Sequence, residues 1–238
     1  TTNLAVLVDL TNLNSLWAGG NNAGSAAFVA QMKKVEWLGL ERNRIADLAP
    51  LAVPTNLIFC SLEFNQLTNI DVLAVHTNLN YLYLAWNQIP DLTPLTGLTN
   101  LYNLSVGGNG VSNLTALAGL RLLNWFTMPS NNVPDLSPLS GMTNLHTLDI
   151  GQNLITNLTP IVGLGHLTWL SPAMNRLASL PALAGLSNLT SLDLSGNLLT
   201  NLSGLSGMPA TFTWVSVNNN QLGDIHPLVN LTTLNYAD

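Results

Sequence analysis

Two carboxylates and a hydroxyl recur in line along this chain: Asp149, Ser171 and Asp193, separated by equal 22-residue steps. Paired carboxylates are the working parts of glycoside hydrolysis, where one serves as acid and the other as base or nucleophile. If each step is one strand of a sheet, the two aspartates stand about 10 Å apart. Inverting glycosidases hold theirs at about 6.5–9.5 Å. The pair is also expected on an open face with nothing to raise either pKa, so catalysis is not expected. The four histidines, His76, His146, His166 and His226, fall at unrelated places in the repeat and show no metal-ligand spacing. Cys60 is the only cysteine, so no disulfide forms, and it stands where other repeats carry a buried leucine. No cofactor and no metal are expected.

The aromatic residues follow a firmer pattern. Setting the repeats in register, the positions six residues before a recurring asparagine read Ser15, Trp37, Phe59, Tyr81, Asn103, Trp125, Thr147, Trp169, Ser191 and Trp214. Four residues before it they read Trp17, Gly39, Ser61, Tyr83, Ser105, Thr127, Asp149, Ser171, Asp193 and Ser216. Two before it, small and acidic residues prevail, including Glu41, Glu63 and Gly107. Five of the six tryptophans thus share one face, Trp86 being the exception. These positions alternate with the leucines that must make the core, so core packing does not account for them. A row of exposed aromatics marks a binding surface, or else the rings pack on one another and stiffen a sheet. The candidate ligand-binding residues are Trp17, Trp37, Phe59, Tyr81, Tyr83, Trp125, Asp149, Trp169, Asp193 and Trp214.

The elements that hold this face follow from the period itself. Asn21, Asn43, Asn65, Asn87, Asn109, Asn131, Asn153, Asn175 and Asn197 keep a strict 22-residue period, and Asn220 follows after one extra position. Around each lies a frame well seen in residues 79–98, L-x-x-L-x-L-x-x-N-x-I-x-D-L-x-P-L-x-G-L. The alternation Leu82-Tyr83-Leu84 is the period-2 pattern of a half-buried strand. Asparagine suits the corner that follows, because its amide bonds backbone groups left open where a strand ends. Asp47, Asn69, Asp91, Asn113, Asp135, Asn157, Asn201 and Asp224 lie four residues on and are expected as N-caps of a short helical turn. One repeat cannot bury its own leucines, so neighbours must stack.

That frame resembles the leucine-rich repeat, a solenoid with repeats of about 20–29 residues. The 22-residue length, the Asp-Leu-Thr-Pro-Leu return and the Thr-Asn-Leu lead-in are most similar to the bacterial internalin-like class. The resemblance covers essentially all of residues 1–238 and implies one α/β solenoid of about ten repeats. It implies a right-handed arc with a concave parallel sheet and short 3-10 or helical turns outside. It further implies a non-catalytic, protein-binding scaffold, extracellular or on a bacterial cell surface.

Composition narrows the partners. Only 8% of residues are charged and the net charge is −6, so no basic face invites nucleic acid. No apolar run reaches the ~18 residues of a membrane span. Two readings of the aromatic face therefore stand. A protein partner would bury a few tryptophan and tyrosine hot spots. An extended glycan would stack on Trp125, Trp169 and Trp214, which alternate strands place about 9.6 Å apart. A third reading has the solenoid ends docking on one another. Residues 3–7 run in register with 47–51, and residues 231–236 enter a further strand. The chain is thus expected to start and end within repeats, as a segment of a longer protein or as an array that associates end to end.

Departures from the frame carry their own expectations. Residues 25–34 lack proline and glycine and open on Ser25, which predicts an α-helical turn. Pro172 takes an inward strand position and should break one ladder bond. The strand around Trp125 carries bulkier core residues, Phe126 and Met128. Six N-x-(S/T) sequons, at Asn103, Asn113, Asn157, Asn188, Asn201 and Asn230, arise mostly from the repeat itself and are weak signals of glycosylation.

Overall fold

A computed structural model describes residues 4–238. Eleven short strands form a single parallel sheet in strict sequence order. They are β1 Ser15–Trp17, β2 Trp37–Gly39, β3 Phe59–Ser61, β4 Tyr81–Tyr83, β5 Asn103–Ser105 and β6 Trp125–Thr127. The series continues with β7 Thr147–Asp149, β8 Trp169–Ser171, β9 Ser191–Asp193, β10 Trp214–Ser216 and β11 Tyr236–Ala237. Each strand is followed by a return segment, most often with one 3-10 turn such as Thr93–Leu95 or Ser137–Leu139. The arrangement is the expected solenoid. The last strand belongs to the partial repeat at residues 231–236, and Asn3, also set in register from sequence, lies outside the described residues.

The core is one column of aliphatic side chains running the length of the sheet. Leu38, Cys60, Leu82, Leu104, Phe126 and Leu148 are fully buried at the middle of successive strands, as the alternation requires. Phe126 and Met128 supply the bulk expected around Trp125. Burial pushes the Cys60 thiol up to about 12, which keeps it a neutral apolar filler.

The recurring asparagines are the corner pins. Asn131 Nδ2 donates to the carbonyls of Met128 (3.0 Å) and Val106 (3.1 Å), and its Oδ1 accepts from the Val111 N–H at 2.9 Å. Asn43, Asn65, Asn87, Asn109, Asn153, Asn175 and Asn197 repeat the donations with the same offsets and are likewise buried. A second ladder staples the lead-in: Asn100 Nδ2 reaches the Thr77 carbonyl at 2.9 Å and Asn144 Nδ2 the Arg121 carbonyl at 2.9 Å. Where His166 replaces this asparagine, its Nδ1 lies 2.8 Å from the Thr143 carbonyl and keeps the link.

Two local expectations need correction. The Asp/Asn series does not provide N-caps. Asp91 Oδ1 accepts from the Thr93 N–H at 2.8 Å, two residues on, and the N-cap position is held by Leu92. The same two-residue bond recurs from Asp47 to Asp224. These side chains close Asx turns that aim the chain into the 3-10 segment, one residue earlier than a cap. Residues 25–34 form a 3-10 turn at Ala27–Gln31, not an α-helix. Five residues inside a 22-residue repeat leave too little length for the costly nucleus of an α-helix. His146 and His166 occupy different places in the frame, as read from the sequence, yet they stack with centroids 5.7 Å apart. Positions nearly one full turn apart can meet, because the coil returns with every repeat. No cluster of metal-ligating side chains forms among the described residues.

Pro172 behaves as expected. In neighbouring repeats the equivalent amide donates across the sheet, Ile150 to the Ser171 carbonyl and Leu194 to the Ser216 carbonyl. Between β8 and β9 that bond is missing and only two residue pairs stay in register. The return that follows, with Ser179 in place of Asp or Asn, forms no 3-10 turn. It presses so close to the next repeat that a Cβ at Gly204 would lie 2.4 Å from the Pro181 carbonyl oxygen.

Candidate binding face

All ten candidate residues lie on strands and share the outward side of the sheet. Parallel pairing puts Trp37, Phe59, Tyr81, Asn103, Trp125, Thr147, Trp169, Ser191 and Trp214 in one row. Trp17, Tyr83, Asp149 and Asp193 occupy the adjacent row two residues on. The alternation that buries Leu38 and Leu82 is what turns Trp37 and Tyr81 outward.

The face divides into two halves with different textures. From β1 to β6 the rings form a continuous layer. Trp17 meets Phe59 at 5.0 Å between centroids, Trp37 stacks on Phe59 at 5.6 Å, and Phe59 meets Tyr83 at 5.5 Å. Trp37 reaches Tyr81 at 6.3 Å, and Tyr83 reaches Trp125 at 6.2 Å. The self-packing reading is therefore correct for this half, yet it does not remove the layer from solvent. Trp17 stays 59% exposed and Trp37 38%. From β6 to β10, Trp125, Trp169 and Trp214 stand on alternate strands, separated by Thr147 and Ser191. Trp214 stacks almost flat on Tyr236, 5.7 Å away at 3°.

The aspartates work locally. Asp149 Oδ1 accepts from the Gly151 N–H at 3.0 Å, and Asp193 Oδ1 from the Ser195 N–H at 3.0 Å. Contrary to the expectation of an unperturbed open site, the Asp149 carboxyl is held above its usual range. Burial is the main cause, offset by the Gly151 bond and reinforced by the charge of Asp193.

Sequence reasoning missed two parts of the surface. Tyr102 meets Tyr81 edge-on at 6.4 Å beside the row, and Tyr236 extends the row by one strand. The position just before each corner asparagine adopts a left-handed backbone. Arg42, Phe64, Trp86, Ser130, Gln152 and Met174 all have φ between 53° and 59° there, and Gly20, Gly108 and Gly196 between 65° and 71°. Their side chains form a second stack: Arg42 lies 4.5 Å over the Phe64 ring, and Phe64 stacks on Trp86 at 6.0 Å. The signal was present in the recurrence of glycine at 20, 108 and 196, since glycine favours such a backbone. It explains why Trp86 stood apart from the other tryptophans.

The comparisons with known proteins follow this geometry. The family model for leucine-rich repeats (two copies) matches residues 166–207. No curated protein matches. An internalin, InlF, from Listeria monocytogenes superposes with a TM-score of 0.90 at 29% identity, over 96% of this chain and 67% of its own. A leucine-rich repeat protein of Leptospira interrogans superposes at 0.91 with 23% identity, over 98% of this chain and 62% of its own. A plant peptide hormone receptor, RGFR1, solved in complex with RGF2, superposes at 0.77 with 20% identity, over 92% of this chain and 37% of its own. The chain thus spans about two thirds of the two bacterial proteins. With its corner asparagines and its 22-residue period, the chain has the leucine-rich repeat fold and is similar to the internalin InlF.

Proposed function

We propose that the chain is a non-catalytic recognition module that holds a protein partner on the outward face of its sheet. The observation that carries this reading is the ring layer from Trp17 to Trp125, contiguous yet still open to solvent. Large rigid rings give contact area at low entropic cost and dominate interface energetics. A plant relative seen with a bound peptide hormone is consistent with the same use of the fold. An extracellular or bacterial cell-surface location follows from the internalin-like form. The test is to select binders from a displayed protein library on the intact chain. They should lose at least tenfold in affinity on Trp37→Ala or Tyr81→Ala and nothing on Thr159→Ala, in the return segment opposite. Equal affinity for all variants would refute the reading.

A second reading rests on its own observation. Trp125, Trp169 and Trp214 are spaced by alternate strands with small hydroxyl residues between, a spacing that suits stacking on every second sugar of an extended glycan. Titrating the tryptophan fluorescence with β-1,4-linked oligosaccharides of graded length tests it. A saturable, length-dependent change abolished by Trp169→Ala supports the glycan; a flat response removes it.

A further inference from the structure

The N-terminal part of the face is short of hydrogen-bond donors. Glu41 and Glu63 follow β2 and β3 at equivalent positions, two residues before Asn43 and Asn65. Glu63 Oε1 accepts from the Ser105 hydroxyl at 3.2 Å, while Glu41 Oε2 is buried without any hydrogen-bond partner. Farther along the face, on β5, Asn103 donates Nδ2 to the Tyr83 hydroxyl at 3.3 Å and leaves its own Oδ1 buried and unpartnered. Arg42, the basic residue nearest in sequence, is drawn onto the Phe64 ring. Buried polar atoms in native folds nearly always find partners, so a group of acceptors lacking donors points to a donor supplied from outside.

Aromatic rings stand over these acceptors. A Cβ at Gly39 would lie 2.4 Å from the Trp17 ring and 3.2 Å from Glu41 Oε2, so an indole and a carboxylate converge in the space that this glycine leaves. Trp17 leans on Phe59, and Phe59 on Tyr83. Ring faces carry negative quadrupole density and attract ammonium and guanidinium groups; carboxylates attract them further and bond them with charge assistance. Burial holds the Glu63 carboxyl above its usual range, with the charge of Glu41 adding to it and the Ser105 bond and the Arg42 charge offsetting it only in part, and an incoming cation would relieve the remaining cost.

We propose that this end of the face receives a lysine or arginine side chain of the protein partner, lodged among Trp17, Phe59 and Tyr83 and bonded to Glu41 and Glu63. The inference rests on the reading of the sheet face as a protein-binding surface, and names the chemistry of the bound segment. A neutral glycan could donate hydroxyl hydrogen bonds here but would leave the carboxylate charge unneutralised.

A random dodecamer peptide library displayed on phage and selected on the intact 238-residue chain tests this separately from the parent reading. The expected result is enrichment of peptides with lysine or arginine beside apolar residues. A synthetic copy of an enriched peptide should bind about tenfold more weakly to the Glu41→Gln/Glu63→Gln double variant, and about tenfold more weakly again when its basic residue is replaced by citrulline or acetyl-lysine. Its affinity should also fall as salt is raised. The glutamine variant removes a repulsion, so its melting temperature should equal or exceed that of the parent, which separates lost recognition from lost folding. Enriched peptides without basic residues, or binding that depends on Trp125 and not on the two glutamates, would overturn the cation site while leaving the protein-binding face intact. Enrichment of nothing that depends on any ring of the face would overturn both.

Discussion

Replacing Asn131 by alanine isolates the energy of one corner pin. Its Nδ2 shares the Val106 carbonyl with Asn109 and the Met128 carbonyl with Asn153. Each of those carbonyls therefore keeps one donor after the substitution. The N–H groups of Asn109 and Val111 have no such reserve, because Asn131 Oδ1 is the acceptor for both, at 3.2 and 2.9 Å. A stranded buried donor costs about 1–3 kcal/mol, so two of them cost about 3–4 kcal/mol when the more strained bond is discounted. Asp91→Ala, which removes only an exposed turn bond, should cost far less, because water replaces the lost partner. Urea unfolding followed by circular dichroism measures both, and hydrogen exchange at the Val111 amide localises the effect. Because a solenoid is held by nearest-neighbour interfaces, the loss should also reduce the cooperativity of the transition. A cost for Asn131→Ala below about 1 kcal/mol, with the Val111 amide still protected, would refute the claim that the asparagine ladder, and not leucine packing alone, closes each corner.

Three further substitutions probe sites where the frame is broken. His76 is fully buried where most other repeats place leucine or methionine, both ring nitrogens lack a partner, and the Leu51 carbonyl faces the ring without hydrogen-bond geometry. Burial holds its pKa below 6.5, so the unfolded chain binds the proton more readily and stability falls as pH drops below that value; His76→Leu should add about 1–2 kcal/mol at neutral pH and flatten the melting temperature between about pH 6.5 and 5. Glu63 has the opposite sign, since a raised carboxyl in the folded state favours folding as pH falls toward it and opposes folding above it. Glu63→Gln should thus raise stability at neutral pH and not under acid, in denaturation series at the two pH values. Pro172→Val should restore the missing bond to the Asp193 carbonyl and raise the urea midpoint by about 1 kcal/mol equivalent, slightly offset by the freer unfolded chain; a lower midpoint would count against the ladder account.

How much of this was legible in the sequence depended on what kind of position was being read. Inward leucines and corner asparagines are fixed by a period that the backbone itself imposes, so the strand register and the outward rows were readable from spacing alone. The Asx turns were misread by one residue because an aspartate before a helical turn looks the same in sequence whether it bonds the next-but-one amide as a turn or as a cap. The stack through Arg42, Phe64 and Trp86 was hidden more deeply. It depends on a left-handed φ at a column where only some repeats carry glycine, and a bulky residue there runs against local preference. The His146–His166 contact depended on return geometry, which composition does not encode.

The two halves of the sheet face also separate packing from recognition. Strands lie about 4.8 Å apart, yet Trp37, Phe59 and Tyr81 occupy three consecutive strands with centroids 5.6 and 6.3 Å apart. Trp37 and Tyr81, two strands apart, also approach to 6.3 Å, so the middle ring, Phe59, is accommodated by standing out of line with its neighbours, and the fold does not forbid consecutive rings. In the adjacent row of Trp17 and Tyr83 the limit is stricter at one place: Trp17 lies across Gly39, whose missing side chain makes the room. Gly39 is thus explained by space, whereas Thr147 and Ser191, in the row of Trp37 and Trp125 where consecutive rings fit, are not required by packing. The gaps between Trp125, Trp169 and Trp214 are therefore not set by packing. The closed ring layer above Glu41 and Glu63 and the spaced rings beyond Trp125 present different chemistry to a ligand, one apolar and anionic, the other apolar and hydroxylated. Under the proposed protein-binding reading, a partner spanning both halves is expected to carry a basic residue toward β1 and neutral contacts toward β10, and so to lie in one direction along the solenoid.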